Sequence, residues 1–134
     1  LRVSKDGHIS LASHPQSLGS SLSNPFITTD FSESLLEFIT PAYSDIDTCL
    51  AKMEDIHRFT MQNLENEEVL WVSSMPCPLG SSDEIPIAQY GSSNVGKLKT
   101  LYRHGLSNRY GRLMQIISGI HYNFSMPESF WQPY

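Results

Sequence analysis

The chain has 134 residues, 40% of them hydrophobic and 17% charged, with a net charge of −5, which is one domain's worth of sequence and enough to bury a core. No apolar run approaches the roughly 18 residues needed to span a bilayer, and the acidic total argues against a dedicated nucleic-acid binder. Two cysteines without metal-type spacing, Cys49 and Cys77, are too few for a small oxidised secreted domain and read as buried or half-buried thiols of a cytoplasmic protein.

Leu1–Ser4 and His8-Ile9-Ser10 read as two short strands around the turn Lys5-Asp6-Gly7. A polar, Ser-rich connector with room for a short helix covers residues 14–22. Ile27–Phe31 and Ser34–Thr40 are β-rich runs separated by two residues, consistent with a hairpin, and Pro41 stops the second. From Ile46 the apolar positions Cys49, Leu50, Met53, Ile56, Thr60 and Leu64 follow helical spacing, with Ser44 as the expected N-cap. Val69–Met75 reads as a strand. Asn94 is the expected cap of a second helix ending near Tyr110, where Gly111 is a fitting terminator.

Leu113–Met126 alternates. One face carries Gln115, Ile117, His121 and Asn123; the other, with Met114, Ile116, Ile120, Tyr122 and Phe124, is expected in the core. A strand face holding amide and imidazole groups reads as a ligand face, because a solvent face would hold more Lys, Glu and Thr. Strands, helices and short hairpin connections together give the class α+β, with a partial antiparallel sheet and packed helices.

The charge is uneven. Residues 1–88 hold 4 Lys/Arg against 13 Asp/Glu, whereas residues 89–134 hold 5 against 1. The basic stretch of Lys97, Lys99, Arg103, Arg109 and Arg112 has two readings, an anionic-ligand surface or a solvated helix face paired with acids elsewhere. Gly91–Leu98 nearly spells a phosphate-binding loop, but Leu98 stands where Ser or Thr would hold Mg²⁺, so it reads as a turn leading into a helix.

Asp30 and Glu37 sit on the two arms of the expected hairpin. A centre between Glu33 and Ser34 would place them directly opposite each other, where two carboxylates repel unless compensated. Glu37 also stands among apolar residues and would need a cation or a donor. A divalent metal satisfies both acids; a buried ion pair with an arginine satisfies Glu37 alone. Oxygen ligands suit Mg²⁺ or Mn²⁺, and His121 as a third ligand would favour Mn²⁺. His121 can equally be read as a general base or a core histidine, and His57 reads as structural.

Three stretches resemble the bacterial-type glutamate–cysteine ligases: residues 27–41, with Ile27-Thr28-Thr29-Asp30-Phe31 and Leu36-Glu37-Phe38; residues 88–103, with Gln89-Tyr90-Gly91-Ser92-Ser93-Asn94 and Leu101-Tyr102-Arg103; and residues 108–125, with Asn108-Arg109-Tyr110-Gly111 and Gly119-Ile120-His121-Tyr122-Asn123. The resemblance covers nearly the whole chain in family order. It implies a glutamine-synthetase-like catalytic fold, of which residues 1–134 would be a single segment incomplete at both ends.

The implied activity is ATP-dependent joining of glutamate to cysteine through a γ-glutamyl phosphate, the first step of glutathione biosynthesis. The implied ligands are glutamate, cysteine, ATP and Mg²⁺ or Mn²⁺, with no nucleic acid and no membrane. By the same resemblance Asp30, Glu37 and His121 look like metal ligands, Gln115 and Ile117 hold the γ-glutamyl part, and Tyr102 and Leu106 accommodate the cysteine side chain. No catalytic residue is assigned. Much of the family's site lies outside the matched stretches, so these residues alone are expected to be inactive. Related carboxylate–amine ligases using another amine, and a noncatalytic module, are the competing readings.

Overall fold

A computed structural model describes residues 1–132. Its elements run β1 (Arg2–Val3), β2 (Ile27–Thr29), β3 (Leu36–Phe38), α1 (Ile46–Gln62), β4 (Val69–Leu70), α2 (Asn94–Tyr110) and α3 (Glu128–Trp131). Single 3-10 turns lie at Gln16–Leu18, Ser82–Glu84 and Leu113–Ile116. The class is α+β, as the sequence leads one to expect. The strands form two antiparallel ladders, β1 with β4 and β2 with β3. The backbone links them where the Arg2 N–H donates to the Ser34 carbonyl at 2.7 Å.

The first turn forms as its sequence requires. Gly7 takes φ +79°, a conformation that costs glycine no Cβ clash, and the reversed chain bridges Val3 to Ile9. The β2–β3 hairpin has a different register from the expected one. Ile27 faces Phe38, Thr28 faces Glu37 and Thr29 faces Leu36, and the Asp30 N–H continues the ladder to the Leu35 carbonyl. The bend therefore uses Phe31–Ser34, closed by the Leu35 N–H on the Ser32 carbonyl and by a 2.9 Å contact between the Ser32 and Ser34 hydroxyls. Asp30 faces Leu35, not Glu37, so the repulsion argument from direct opposition fails.

One side of the hairpin is apolar. Ile27 joins Leu18 and Ile56 in a buried cluster, with Phe26, Leu36 and Phe38 packed against it. This is how α1 docks. Its stripe is only partly used, since Ile56 and Thr60 are buried while Ile46 and Leu50 are exposed. The cap is Asp45 rather than Ser44, its carboxylate accepting from the Thr48 N–H at 2.8 Å. His57 is structural, with Nδ1 2.8 Å from the Met53 carbonyl and its ring edge-on to Phe38.

A buried ion pair holds the other ladder. Arg2, 1% exposed, meets Glu68 at 2.7 Å. Its Nη2 donates to the carbonyls of Ala12, Ser13 and Glu33. Glu68 also accepts from the Ser10 hydroxyl. Buried charge is tolerated here because it is paired and hydrogen-bonded. Beside it Leu1, Val3, Leu35 and Cys77 form a second cluster. The expected strand Val69–Met75 is shorter: Val69–Leu70 form the ladder, Trp71 continues it by exchanging backbone hydrogen bonds with Leu1, and the chain then turns, the Trp71 indole donating to the Met75 carbonyl. Both cysteines are free thiols, Cys77 buried and Cys49 half-buried.

The third cluster, Phe31, Ile85, Ile87 and Ile116, takes partly buried Leu106 from α2 against it. α2 is capped by Ser93, one residue before the expected Asn94, its hydroxyl accepting from the Gly96 N–H. Gly91 takes φ +85°, so Gly91–Leu98 is a turn into a helix. The expected long strand Leu113–Met126 does not form among the described residues. Leu113–Ile116 is a 3-10 turn, and residues 117–127 belong to no strand or helix. Ile116 is buried as expected, but Ile120, Tyr122 and Phe124 of the same face are 98%, 67% and 70% exposed. Alternation orients side chains only once a neighbouring strand exists, and here none pairs with it.

Candidate functional site

Period-two alternation puts Thr28 and Asp30 on the hairpin face opposite the apolar one, with Glu37 across the ladder from Thr28. Asp30 and Glu37 are thus diagonal neighbours, a relation that in antiparallel ladders separates residues by about 7–8 Å. Both are exposed. Glu37 points outward while its neighbours Leu36 and Phe38 pack inward. It therefore needs no buried arginine, and among the described residues it pairs with none.

Helix α2 supplies the surroundings. Tyr90, in the turn before it, is buried, and its hydroxyl lies 2.6 Å from the Thr29 carbonyl and 2.8 Å from the Asp30 carbonyl. Lys99 Nζ stands 4.5 Å and the Arg103 guanidinium 4.6 Å from the Tyr90 ring centre. Arg103 also donates through Nε to the Asp30 carbonyl. Burial pushes the Tyr90 phenol above its ordinary value; the Thr29 hydrogen bond and Arg103 oppose this, and the charges of Asp30 and Glu37 add to it. The two carboxylates, one phenol and two cations thus share one corner of the molecule.

The basic stretch is largely accounted for by internal contacts, although not by acids. Besides Lys99 and Arg103, Arg112 donates to the carbonyls of Asp83 and Ile85, and Arg109 lies over Tyr110. Among the described residues its cations form no salt bridge with a carboxylate.

The remaining expected site residues do not join this corner. His121 is exposed in the segment 117–127, its ring folded back toward Gly119. Among the described residues no three His, Cys, Asp or Glu side chains converge in a way that could hold a metal ion. The expected three-residue cluster is therefore not assembled by these residues. Gln115 is half-buried in the 3-10 turn and Ile117 is 39% exposed. Tyr102 is exposed, whereas Leu106, four residues on, packs into the Phe31 cluster.

Sequence reasoning had not singled out Tyr90, nor Lys99 and Arg103 as its partners. The i, i+4 spacing of the two cations puts them on one helix side, but nothing local says that the side faces Tyr90.

Comparison with known proteins settles the lineage. The family model described as glutamate-cysteine ligase matches residues 1–134. The chain belongs to the glutamate–cysteine ligase family.

Among curated relatives, the glutamate–cysteine ligase of Vibrio parahaemolyticus is 60% identical over 131 residues, covering 98% of this chain and 25% of the relative. That of Edwardsiella ictaluri is 59% identical over 132 residues with the same coverage. A crystal structure of glutamate–cysteine ligase from Francisella tularensis, in complex with AMP, superposes with a TM-score of 0.95 at 44% identity, covering 99% of this chain and 26% of that one. A bifunctional glutathione synthetase from Pasteurella multocida gives a TM-score of 0.73 at 32% identity over 87% of this chain and 14% of that chain. The chain thus spans about a quarter of the length of the curated ligases it matches. No helix of the described residues is long and apolar enough to cross a membrane.

Proposed function

We propose that this chain is the hairpin-bearing segment of an ATP-dependent ligase that joins the γ-carboxylate of glutamate to the amine of cysteine. The observation that carries the reading is the pair Asp30 and Glu37. Both are exposed and on one hairpin face, and among the described residues neither carboxylate makes a hydrogen bond or an ion pair. They stand where the family resemblance expects metal ligands. Relatives carrying the name glutamate–cysteine ligase, at 60% identity, support the substrate pair.

The donor chemistry fits a divalent cation. Magnesium is usually held by one or two carboxylates plus substrate phosphates, not by an all-protein cage, and two free carboxylates are what the hairpin offers. Asp30 and Glu37 would hold the ion, with His121 as a further ligand once its segment is ordered against other strands. When bound, Mg²⁺ neutralises charge on the transferring phosphoryl group. Gln115 and Ile117 would seat the glutamyl part, and Tyr102 with the edge of Leu106 the cysteine side chain. The reaction itself transfers the γ-phosphoryl of ATP to the glutamate γ-carboxylate. The cysteine amine then forms the C–N bond, loses a proton, and phosphate leaves the acyl carbon.

The test measures ADP release with glutamate, cysteine, ATP and Mg²⁺ in the full-length ligase carrying this chain. Asp30→Asn and Glu37→Gln should each raise the Mg²⁺ needed for half-maximal rate. An unchanged requirement in both would sink the assignment. Residues 1–134 alone should give no glutamate-dependent ADP, because groups that act as a unit fail together when any is missing.

A further inference from the structure

Asp30 is the last ladder residue before the four-residue bend, the place where a hairpin ordinarily loosens. Its carboxylate is free, yet its backbone carbonyl has two donors directed at it. One is the Tyr90 hydroxyl, which carries a single proton and has the Thr29 and Asp30 carbonyls at 2.6 and 2.8 Å. The other is Arg103 Nε. Both donors are themselves held. Tyr90 is 4% exposed, and its ring lies under Lys99 and Arg103. Arg103 Nη1 is tied back to the Lys99 carbonyl at 3.0 Å. The Tyr90 carbonyl sits against Gly96, where an added Cβ would come to 2.3 Å of it. Helix α2 and the end of β2 are locked together through this phenol and through Arg103 itself.

We propose that Tyr90 and Arg103 are positioning residues for Asp30, fixing the end of β2 so that the Asp30 and Glu37 carboxylates face a divalent cation together. Neither touches the ion; each acts through the Asp30 backbone. Deleting the phenol oxygen would take the close donor from the Thr29 carbonyl and leave the Asp30 carbonyl with Arg103 alone, letting the strand end move, with the carboxylate that follows it. The inference rests on the metal-binding reading given above, and its test separates the two.

The test titrates Mn²⁺ alone into the full-length ligase carrying this chain, following free ion by electron paramagnetic resonance. Tyr90→Phe should weaken Mn²⁺ binding roughly tenfold, the low end for a group acting on a metal ligand from behind. It should also raise the Mg²⁺ needed for half-maximal rate by a similar factor while moving the glutamate KM less than about twofold. Arg103→Ala should behave alike, and Arg103→Lys should recover part of the loss because it keeps a donor. Arg103→Ala and Arg103→Lys carry the test if Tyr90→Phe does not fold. Wild-type Mn²⁺ affinity in Tyr90→Phe and Arg103→Ala, with Asp30→Asn weakened, would overturn the positioning role and leave the site intact. Unchanged affinity in Asp30→Asn as well would overturn the metal-binding reading itself. A lowered Tm without any change in Mn²⁺ binding would mark Tyr90 as packing only, and the proposal would fall.

Discussion

Arg2 and Glu68, separated by 66 residues, meet at 2.7 Å with both side chains withdrawn from solvent. The same guanidinium serves three backbone carbonyls, so the two partners are not equivalent. Arg2→Met strips donors from Ala12, Ser13 and Glu33 and strands a buried carboxylate; a loss of roughly 3–5 kcal/mol is expected. Glu68→Gln keeps an acceptor oxygen and all three carbonyl bonds, and should cost about 1.5–3 kcal/mol. Urea unfolding of both variants measures the difference. Equal losses would show that the carbonyl bonds contribute little.

Two glycines of α2 should respond to alanine in opposite directions. At Gly105 an added Cβ meets nothing within 4 Å, so Gly105→Ala should stabilise by about 0.5–1 kcal/mol. At Gly96 the Cβ would meet the Tyr90 carbonyl at 2.3 Å and the Gly91 carbonyl at 2.9 Å, both of them backbone. Gly96→Ala should therefore destabilise by roughly 1–3 kcal/mol despite alanine's helix propensity. Thermal midpoints of the two variants decide it.

His14 makes stability pH-dependent. Burial holds its imidazole below the ordinary 6.5; nearby Glu33 opposes the shift and Arg2 adds to it. The unfolded chain then binds the proton more readily. The contribution of neutral His14 is complete above 6.5 and falls as pH drops through that value toward the lower folded pKa. Urea midpoints of wild type and His14→Asn at about pH 5 and about pH 8 should show a narrower gap for the variant. An equal gap would remove His14 as the source.

Leu106 should behave as packing first. Because it is only partly buried against Phe31, Ile85, Ile87 and Ile116, Leu106→Ala is expected to cost about 1–2 kcal/mol, below the 2–5 kcal/mol of a fully buried leucine. Tyr102→Phe, at an exposed position, should leave stability unchanged. If Tyr102 lines the cysteine pocket, that variant alters the cysteine KM of the full-length ligase and spares the ATP KM.

What could be read from the sequence was local. The Lys5-Asp6-Gly7 turn, the helical stripe through Ile56 and Gly111 as terminator depend on neighbours within a few residues, and all three are found. Both caps fell one residue from the expected positions, at Asp45 and Ser93. Any of several adjacent polar side chains can reach the N3 amide, and backbone angles choose among them. The hairpin register differs because the bend, Phe31–Ser34, is centred between Ser32 and Glu33, one position before the expected centre, and is closed by Ser32 and Ser34 contacts that composition does not announce. Arg2 with Glu68, and Tyr90 with Arg103, are long-range pairs and left no periodic trace.

The lack of a ladder partner for residues 117–127 divides the candidate site by how it comes to be ordered. Asp30 and Glu37 ride on a hairpin that closes its own hydrogen bonds and rests on Ile56 of α1. His121 rides on a stretch whose amides find no strand among the described residues. Amide hydrogen exchange should therefore be slow at Thr28 and Glu37 and fast from Gly119 to Asn123. In a full-length ligase the carboxylate side of the site would be present from the moment the hairpin folds. On the metal-binding reading proposed above, the imidazole side would be ordered only by contacts beyond those of the described residues, making His121 a reporter of assembly.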